Sequence, residues 1–349
     1  MVTLSEALSP RPSTLWSLVK QSGVTDVIGF LNGGEQDQRM FQSVGADPHE
    51  RIRDGDAPWS LRSIRADVAT FAEAGLRVVG MEDHPPLDLA RMGAPGRDEQ
   101  IDAFITQIRA MGSLGIPLQS YNWMALTSWS RTTIDRPGRG DSRVTAYRTT
   151  DAQQLPTIDV PDGLDHEKLW DALRYFLDAV LPVAEEEGVV LAIHPDDPPV
   201  PVVRNVPRIM SSFDSFRKVM QLSSSSSNAI TYCQGNFALM TDDVPAGIRE
   251  FGEQGKIAFI HFRDVRGHGD DFEEVFHDEG QTDMAACLEE YHRLGIDVPM
   301  RPDHVPTMAG ESNDRPGYEN LGRIFAIGYI RGLEHGIAQR HAKQKEGTE

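Results

Sequence analysis

The feature that most constrains the fold of this chain is a repeated alternation of short apolar segments with amphipathic ones. Seven apolar runs rich in β-branched residues are predicted to be strands, at residues 25–31, 76–82, 116–122, 189–194, 229–233, 256–262 and 298–303. A weaker candidate strand lies at 2–8. Runs of this kind are typical of parallel strands that are buried on both faces.

Helical patterns separate these apolar runs. The stretch 60–75 begins at a serine and ends at a glycine, with its apolar residues on one face. Similar patterns occur at residues 98–115, 166–188, 212–222, 283–295 and 318–337. Alternating helices with eight candidate strands predict a (β/α)8 TIM barrel, an α/β fold. A doubly wound sheet is the alternative, but no glycine-rich fingerprint follows an early strand.

The length of the chain fits one barrel domain over residues 1–349. Two long polar segments, at about 32–58 and 130–156, follow candidate strands and are interpreted as inserted loops. Loops this long in a compact domain tend to bind or cover a ligand. In a barrel they would rise from the carboxyl ends of the strands, where active sites lie.

The composition argues against several kinds of partner. Acidic residues outnumber basic ones by 53 to 34, giving a formal net charge of −19, and such a surface repels nucleic acids and anionic lipids. No apolar run approaches the length that spans a bilayer, and the N-terminal residues lack a signal-peptide pattern. The two cysteines, Cys233 and Cys287, do not form a disulfide framework. We therefore expect a cytoplasmic protein that binds neither nucleic acid nor membrane.

Four candidate strands in the second half of the chain end in residue types that bind metals. These residues are His194, Cys233, His261 and Asp303. Each of them alone has an ordinary explanation, such as a hydrogen-bonded histidine or a buried thiol. Their coincidence at equivalent positions on successive strands predicts one shared divalent-metal site at the active-site face of the barrel.

The predicted ligand set restricts the metal only partly. Two imidazoles, a thiolate and a carboxylate form a site of borderline softness. Such a set suits Zn²⁺ and Fe²⁺, and it tolerates Mn²⁺ when substrate oxygens fill the open positions.

A series of motifs occurs along the chain in the order found in a known family. The motifs are IHPDDPP (193–199), PRI (207–209), CQGN (233–236), HFRDVRG (261–267), FHDEGQTDM (276–284), PMRPDH (299–304) and RPGYENLGR (315–323). Together they resemble the mannonate dehydratase family, whose fold is a xylose-isomerase-like TIM barrel. The resemblance is strongest from about residue 165 to 335. Upstream it is limited to AGLRVVGME, YNWM and WSRT.

The resemblance implies an activity and a set of catalytic residues. The activity is the dehydration of D-mannonate to 2-keto-3-deoxy-D-gluconate with Fe²⁺ or Mn²⁺, and the implied metal ligands are the same four strand-end residues. The acid–base pair of the family matches His304 and Tyr318, with the two roles left unassigned. Removing a C2 proton from a sugar acid requires a base, and departure of the C3 hydroxyl requires an acid or a metal.

Further polar residues are candidates for substrate contact. Arg263 and Arg301 lie close in sequence to two ligands and could pair with a carboxylate, although a structural ion pair is an equal alternative. Asn122 ends another candidate strand and could contact a polyol or serve the core. His277 matches a family histidine, and Asn236 lies in the C-x-G motif, so both are expected near the substrate.

The turn that follows His194 is rich in aspartate and proline. Asp196 and Asp197 are expected to support the metal ligands, for example by accepting an N–H from a ligating histidine, rather than to bind the metal. The prolines of this motif favour a rigid turn.

Some positions depart from the family pattern. Asn236 replaces a serine, Glu273 replaces a histidine, Val305 replaces a glycine, and NGGEQDQ (32–38) replaces a segment with a histidine. The predicted ligands and acid–base pair are intact, so we interpret these changes as affecting the pocket and the choice of sugar acid. A sugar isomerase or epimerase, or a non-catalytic metal- or sugar-binding barrel, is the alternative. The apolar helical segment 321–333 is a candidate subunit interface in a homo-oligomer.

Overall fold

The computed structural model describes residues 2–32 and 56–346. The strands of these residues, numbered in chain order, are β1 (Thr3–Leu8), β2 (Asp26–Gly29), β3 (Arg77–Met81), β4 (Leu118–Asn122), β5 (Thr133–Pro137), β6 (Arg143–Arg148), β7 (Val190–His194), β8 (Val202–Val203), β9 (Val206–Pro207), β10 (Asn228–Cys233), β11 (Ile257–Phe262), β12 (Val265–His268), β13 (Asp271–Glu274) and β14 (Pro299–Pro302). Strands β8 and β9 form a small hairpin.

Eight of these strands close into a parallel barrel in the order β1-β14-β11-β10-β7-β4-β3-β2. This confirms the predicted TIM barrel, including the weak candidate at 2–8, which is β1. Closure depends on β1, because Thr3 pairs with Pro299 of β14 on one side and Ser5 pairs with Asp26 of β2 on the other. All carboxyl ends of the parallel strands therefore meet at one edge of the barrel.

Helices connect the strands around the barrel. Those of eight or more residues are Thr14–Gln21, Leu61–Glu73, Arg97–Leu114, His166–Glu187, Phe213–Leu222, Val244–Gly252, Met284–Arg293 and Asn320–Glu346. The six predicted helices are confirmed, whereas Thr14–Gln21 and Val244–Gly252 were not predicted. No helix in the described part of the chain is long and apolar enough to cross a membrane.

Local sequence explains where several of these helices begin and end. The Ser60 side chain accepts a hydrogen bond from the Ser63 backbone N–H, and the Asp243 side chain accepts one from the Ala246 backbone N–H. Such caps satisfy N–H groups that have no partner within a helix. Helix His166–Glu187 ends at Gly188, whose φ of 65° is a left-handed conformation that glycine adopts without steric cost.

The largest core lies between the barrel and its surrounding helices. Phe176 is fully buried, and its ring centroid lies 5.1 Å from those of Phe104 and Trp123 and 5.6 Å from that of Tyr121. These aromatic contacts hold two neighbouring helices against β4. The barrel is thereby fixed close to the strand ends that carry the predicted site.

A second sheet lies near the carboxyl ends of the barrel strands. It is antiparallel with the order β12-β13-β6-β5, and we call it the covering sheet. The segment 130–156 is thus a hairpin with a short helix rather than an irregular loop. Arg143 and Thr307 exchange backbone hydrogen bonds, and the Ser130 N–H donates to the Asp197 carbonyl oxygen. Of the other predicted loop, residues 33–55 lie outside the described residues.

Candidate metal centre and active site

Four side chains meet at the carboxyl ends of β7, β10, β11 and β14. One donor atom from each of His194, Cys233, His261 and Asp303 lies within 4.8 Å of the others. His194 Nε2 lies 3.2 Å from His261 Nδ1, and Asp303 Oδ2 lies 3.6 Å from His261 Nδ1 and 3.7 Å from Cys233 Sγ. The structure therefore brings together the four residues that sequence predicted as ligands.

Each of the two histidines turns one ring nitrogen toward this cluster. His194 Nδ1 lies 2.7 Å from the Pro195 carbonyl oxygen, so that nitrogen donates and Nε2 keeps its lone pair. His261 Nε2 lies 3.2 Å from Glu82 Oε1, an ion-pair contact, and Nδ1 is the nitrogen that faces the cluster. His194 Nε2 and His261 Nδ1 thus face each other across 3.2 Å, and a shared proton or a metal ion between them would satisfy both nitrogens.

The electrostatics of the cluster also favour a cation. Burial and Arg301 disfavour the charged form of His261, but Glu82 and Asp303 outweigh them and raise its pKa to about 10. Burial alone would raise the pKa of Cys233, but the Arg263 guanidinium and the neighbouring His194 and His261 lower it to about 6. The thiol is therefore largely ionised at neutral pH, as a metal ligand must be.

The charges around the cluster do not balance without a cation. Among the described residues, four carboxylates and the Cys233 thiolate lie near three guanidinium groups, an excess of two negative charges when His261 is a neutral metal ligand and of one when it is protonated. These groups belong to Glu82, Asp197, Glu274, Asp303, Arg131, Arg263 and Arg301. A buried excess of negative charge is costly unless a cation is bound. The donor set and the charge thus fit a divalent metal ion.

The cluster opens into a cavity of about 150 Å³. His194, His261 and Asp303 contribute to its lining, and so do His304 and Tyr318. The rings of His304 and Tyr318 meet edge to face with centroids 5.0 Å apart. The predicted acid–base pair and three of the four predicted metal ligands therefore border the same space.

His304 and Tyr318 have different hydrogen-bond environments. His304 Nδ1 lies 2.9 Å from Glu274 Oε1, so an Nδ1–H donates to the carboxylate and Nε2 keeps a lone pair. The Tyr318 hydroxyl donates to Asp303 Oδ1 at 3.4 Å. Burial, and next the Asp303 carboxylate, raise the pKa of Tyr318 well above its usual value, so the phenol holds its proton.

A buried network of charges lies behind His304. Arg131 donates to Asp197 at 2.7 and 2.9 Å and also to Glu274. Arg263 donates to Asp197 at 3.0 Å and to Glu274 at 2.7 and 2.9 Å. All four of these side chains are at most 2% exposed, so their charges are stabilised by one another and not by water. The network joins the covering sheet to the barrel.

Two predicted substrate contacts lie at the cavity and are already hydrogen-bonded. Arg301 lines it, while its Nε and Nη2 donate to Glu82 and its Nη1 donates to Asp303 Oδ1 at 3.0 Å. Asn122 also lines it, and Asn122 Oδ1 accepts from Arg91 at 3.0 Å. Both side chains are thereby held in fixed orientations.

The other three predicted substrate contacts do not line the cavity, in contrast to the expectation from sequence. Arg263 is enclosed by its ion pairs, and Asn236 lies between Arg263 Nη1 and the Asp196 carbonyl oxygen. His277 Nε2 lies 2.6 Å from the Phe262 carbonyl oxygen, and burial lowers the pKa of His277 to about 4, which keeps the ring neutral. All three residues are buried beside the cluster and contact its surroundings.

The prediction that Asp196 or Asp197 accepts an N–H from a ligating histidine is wrong. Asp196 accepts from the Met210 backbone N–H at 2.6 Å and pairs with Arg208 at 3.5 Å. Asp197 is held by two arginines of the buried network, and the N–H of His194 points to a backbone carbonyl instead. Both carboxylates pair with buried guanidinium groups instead, because such charge-assisted hydrogen bonds are stronger than a hydrogen bond from a neutral imidazole.

The departures from the family pattern also lie away from the cavity lining. Glu273 of β13 forms an ion pair of 2.9 Å with Arg136 of β5. Val305 is buried, and its backbone forms a β-bridge with Gly317. Asn236 is enclosed, as described above. Most of the replaced segment at 32–38 lies outside the described residues. The first three positions therefore do not border the cavity, and their effect on the choice of sugar acid stays a prediction.

Several cavity or network residues were missed by the sequence analysis. Glu82 immediately follows β3, so the strand-end rule that found the four ligands also applied to it. Trp129, which lies 4.8 Å from the His304 ring, and Arg131 both belong to the WSRT motif. No local pattern singles out Glu274, whose partners come from other parts of the chain.

The fold defines the class of the protein. Its structure superposes on that of an L-ribulose 3-epimerase with a TM-score of 0.58 and 14% identity, over 99% of this chain and 98% of the other, which shows a shared barrel fold. The crystal structure of the mannonate dehydratase from Streptococcus suis serotype 2 is more similar, with a TM-score of 0.84 and 28% identity over 98% of this chain and 95% of that one.

Sequence comparison gives the family. The D-mannonate dehydratase (UxuA) family model matches residues 11–159 and 152–345. Mannonate dehydratase 2 of Halalkalibacterium halodurans is 31% identical over 306 residues, covering 80% of this chain and 88% of the relative. The mannonate dehydratase of Streptococcus uberis is 30% identical over 307 residues with the same coverage. The chain belongs to the mannonate dehydratase family of hydro-lyases.

Proposed function

We propose that this protein dehydrates D-mannonate to 2-keto-3-deoxy-D-gluconate and water. The observation that supports the proposal is a cavity lined by His304, Tyr318 and three of the four clustered donor residues, in a chain of this family. The reaction removes the C2 proton and the C3 hydroxyl, and the resulting enol becomes the 2-keto product. The departures at Glu273, Val305 and Asn236 lie outside the cavity lining, which supports the family substrate over another aldonate.

The proposed metal site consists of His194, Cys233, His261 and Asp303, and the proposed ion is Fe²⁺ or Mn²⁺. When bound, such an ion supplies positive charge that stabilises the negative charge that develops on the substrate as the C2 proton leaves. Borderline-soft donors of this kind accept either ion. Metal analysis of the purified protein, reconstituted with each ion in turn, identifies the one that supports turnover.

His304 is the proposed base. The contact between its Nδ1 and Glu274 leaves a lone pair on Nε2, and the ring borders the cavity. After proton transfer, the imidazolium is stabilised by the same carboxylate. This arrangement favours His304 over Tyr318 for removal of the C2 proton.

Tyr318 is the proposed acid. Its phenol is protonated and its hydroxyl lies 3.4 Å from Asp303, at the edge of the cavity. A protonated phenol can donate to the departing C3 hydroxyl, which leaves as water. Arg301 and Asn122 are proposed to contact the substrate, whereas Arg263, His277 and Asn236 are proposed to act through the residues that they touch.

An isotope experiment tests the proposed reaction against its alternatives. Metal-reconstituted protein is incubated in D₂O with D-mannonate and, separately, with other aldonates, and the products are followed by NMR. We expect a 2-keto-3-deoxy product that carries one deuterium at C3. Deuterium at C2 of an intact aldonate would indicate an epimerase, and binding without any exchange or product would indicate a non-catalytic barrel. Tyr318→Phe is the matched variant, and it should bind metal yet release product far more slowly.

A further inference from the structure

We infer that Glu82 is a positioning residue of the metal centre, which orients two of its ligands, His261 and Asp303, through two separate contacts. Glu82 is not one of the four predicted metal ligands. The inference rests on the proposed metal site, since it assigns a partner to residues of that site.

The first contact fixes the orientation of the His261 ring. Glu82 Oε1 lies 3.2 Å from His261 Nε2, on the side of the ring opposite the cluster. Nδ1 of the same ring is the atom that faces His194 and Asp303, at 3.2 and 3.6 Å. A carboxylate this close to one ring nitrogen favours a proton on that nitrogen and leaves the other nitrogen to the metal.

The second contact reaches Asp303 through an arginine. Glu82 accepts two hydrogen bonds from Arg301, each of 2.7 Å, in the bidentate geometry that restricts a guanidinium most strongly. Arg301 Nη1 donates to Asp303 Oδ1 at 3.0 Å, so Oδ2 is the oxygen left to face His261 and Cys233. Glu82, Arg301, Asp303 and His261 thus form a closed ring of contacts.

The backbone of Glu82 is itself anchored to the barrel. Its N–H donates to the Gly29 carbonyl oxygen of β2 at 3.1 Å, immediately after β3 ends. The side chain is only 16% exposed, and that exposed part lines the cavity. The end of β3 therefore holds the Glu82 carboxylate in place. The carboxylate in turn restrains His261 directly and Asp303 through Arg301.

The same fold contains a matched control for this arrangement. Glu6 of β1 is also a buried glutamate of a barrel strand, and it pairs with Arg323 at 2.7 Å. Glu6 neither lines the cavity nor belongs to the ligand cluster. Replacing it with glutamine makes the same chemical change at a buried glutamate–arginine pair that lies apart from the metal ligands.

The experiment compares Glu82→Gln with Glu6→Gln in the full-length protein. The apoproteins are titrated with Mn²⁺ by calorimetry, and the Co²⁺-loaded forms are compared by their absorption spectra. We expect Glu82→Gln to weaken Mn²⁺ binding by about 10- to 100-fold, the usual effect of losing such a partner. We also expect its Co²⁺ ligand-field bands to shift while the thiolate-to-cobalt band of Cys233 remains. Glu6→Gln should bind both ions like the unmodified protein.

Each outcome bears on the inference separately from the proposed metal site. If Glu82→Gln binds Mn²⁺ within about twofold of the unmodified protein, with an unchanged Co²⁺ spectrum, Glu82 has no positioning role. A lower melting temperature with unchanged metal affinity also overturns the inference, because that is the effect of a structural ion pair alone. If the unmodified protein binds no metal, the proposed centre fails first. Should Glu82→Gln not fold, Glu82→Asp tests the same point, since its shorter carboxylate cannot reach both partners.

Discussion

The contact between Glu274 and His304 permits a quantitative prediction about catalysis. Glu274→Gln removes a negative charge that lies 2.9 Å from His304 Nδ1. At an effective dielectric of about 20, two unit charges at this distance attract by roughly 5–6 kcal/mol. Relaxation of the surrounding groups reduces this value. Taking about half of it, we expect the imidazolium-like transition state to lose about 3 kcal/mol, which is about 10²-fold in kcat.

The other charges near His304 do not cancel this effect. Arg131 Nη2 lies 3.1 Å from the same nitrogen and opposes the imidazolium, whereas Asp197 and Asp303, each 3.9 Å from a ring nitrogen, favour it. Because these contributions oppose each other and Glu274 is the nearest carboxylate, we expect the loss of Glu274 to dominate the change. Because Glu274 does not line the cavity, KM should change by less than about threefold.

The assay is steady-state dehydration of D-mannonate by metal-loaded protein, with kcat and KM determined separately. Glu273→Gln is the control, because it makes the same change one residue away, in a surface pair with Arg136. Glu274→Gln also weakens a buried ion network, so thermal unfolding must first show that the variant is folded at the assay temperature. A folded Glu274→Gln protein with kcat within threefold of the unmodified protein would refute the reasoning.

Three further predictions concern the metal, the pH dependence of stability and the core. Cys233→Ser replaces a thiolate with a protonated hydroxyl and should lose most of its bound metal by elemental analysis; full metal retention would rule out the ligand role. Burial raises the pKa of Asp264 to about 7, against backbone hydrogen bonds that lower it, so the folded state keeps a proton that the unfolded state releases near pH 4. Its stabilising contribution is therefore complete below pH 4 and is lost as the pH rises through 7. Between pH 5 and 7 the unmodified protein should lose stability faster than Asp264→Asn by about 1.4 kcal/mol per pH unit, as measured by urea unfolding, and parallel curves would contradict this. Phe176→Ala should lower the free energy of unfolding by about 3–5 kcal/mol, because a fully buried ring with three aromatic neighbours is removed, and a loss below about 1 kcal/mol would show that the site collapses around the gap.

The barrel and the clustering of the four candidate ligands were predictable because both depend on local sequence. Each barrel strand is a short apolar run, and the position of a residue at the carboxyl end of such a run places it on the active-site face. His194 and Cys233 satisfy this rule with no knowledge of any distant contact. The helix Val244–Gly252 also carried a local signal, since Asp243 caps it and a proline follows in its first turn.

The supporting residues were harder to predict because their contacts are distant in sequence. Arg131 and Glu274 are separated by 143 positions, and Glu82 and Arg301 by 219. A charged side chain in a polar segment ordinarily lies at the surface, so nothing local indicates burial. Strand β5 adds to the difficulty, because its side chains are mostly exposed and the segment therefore resembles a loop.

The attachment of the covering sheet has a consequence for engineering. Loops of TIM barrels are often exchanged between relatives to alter specificity, since the barrel beneath them is independent of their sequence. Here the hairpin of β5 and β6 is preceded by Arg131, which forms ion pairs with Asp197 of the barrel and Glu274 of the neighbouring hairpin. A transplanted hairpin without that arginine would leave two buried carboxylates with one guanidinium fewer. The exchangeable unit in this barrel is consequently the arginine, its two acidic partners and both hairpins together.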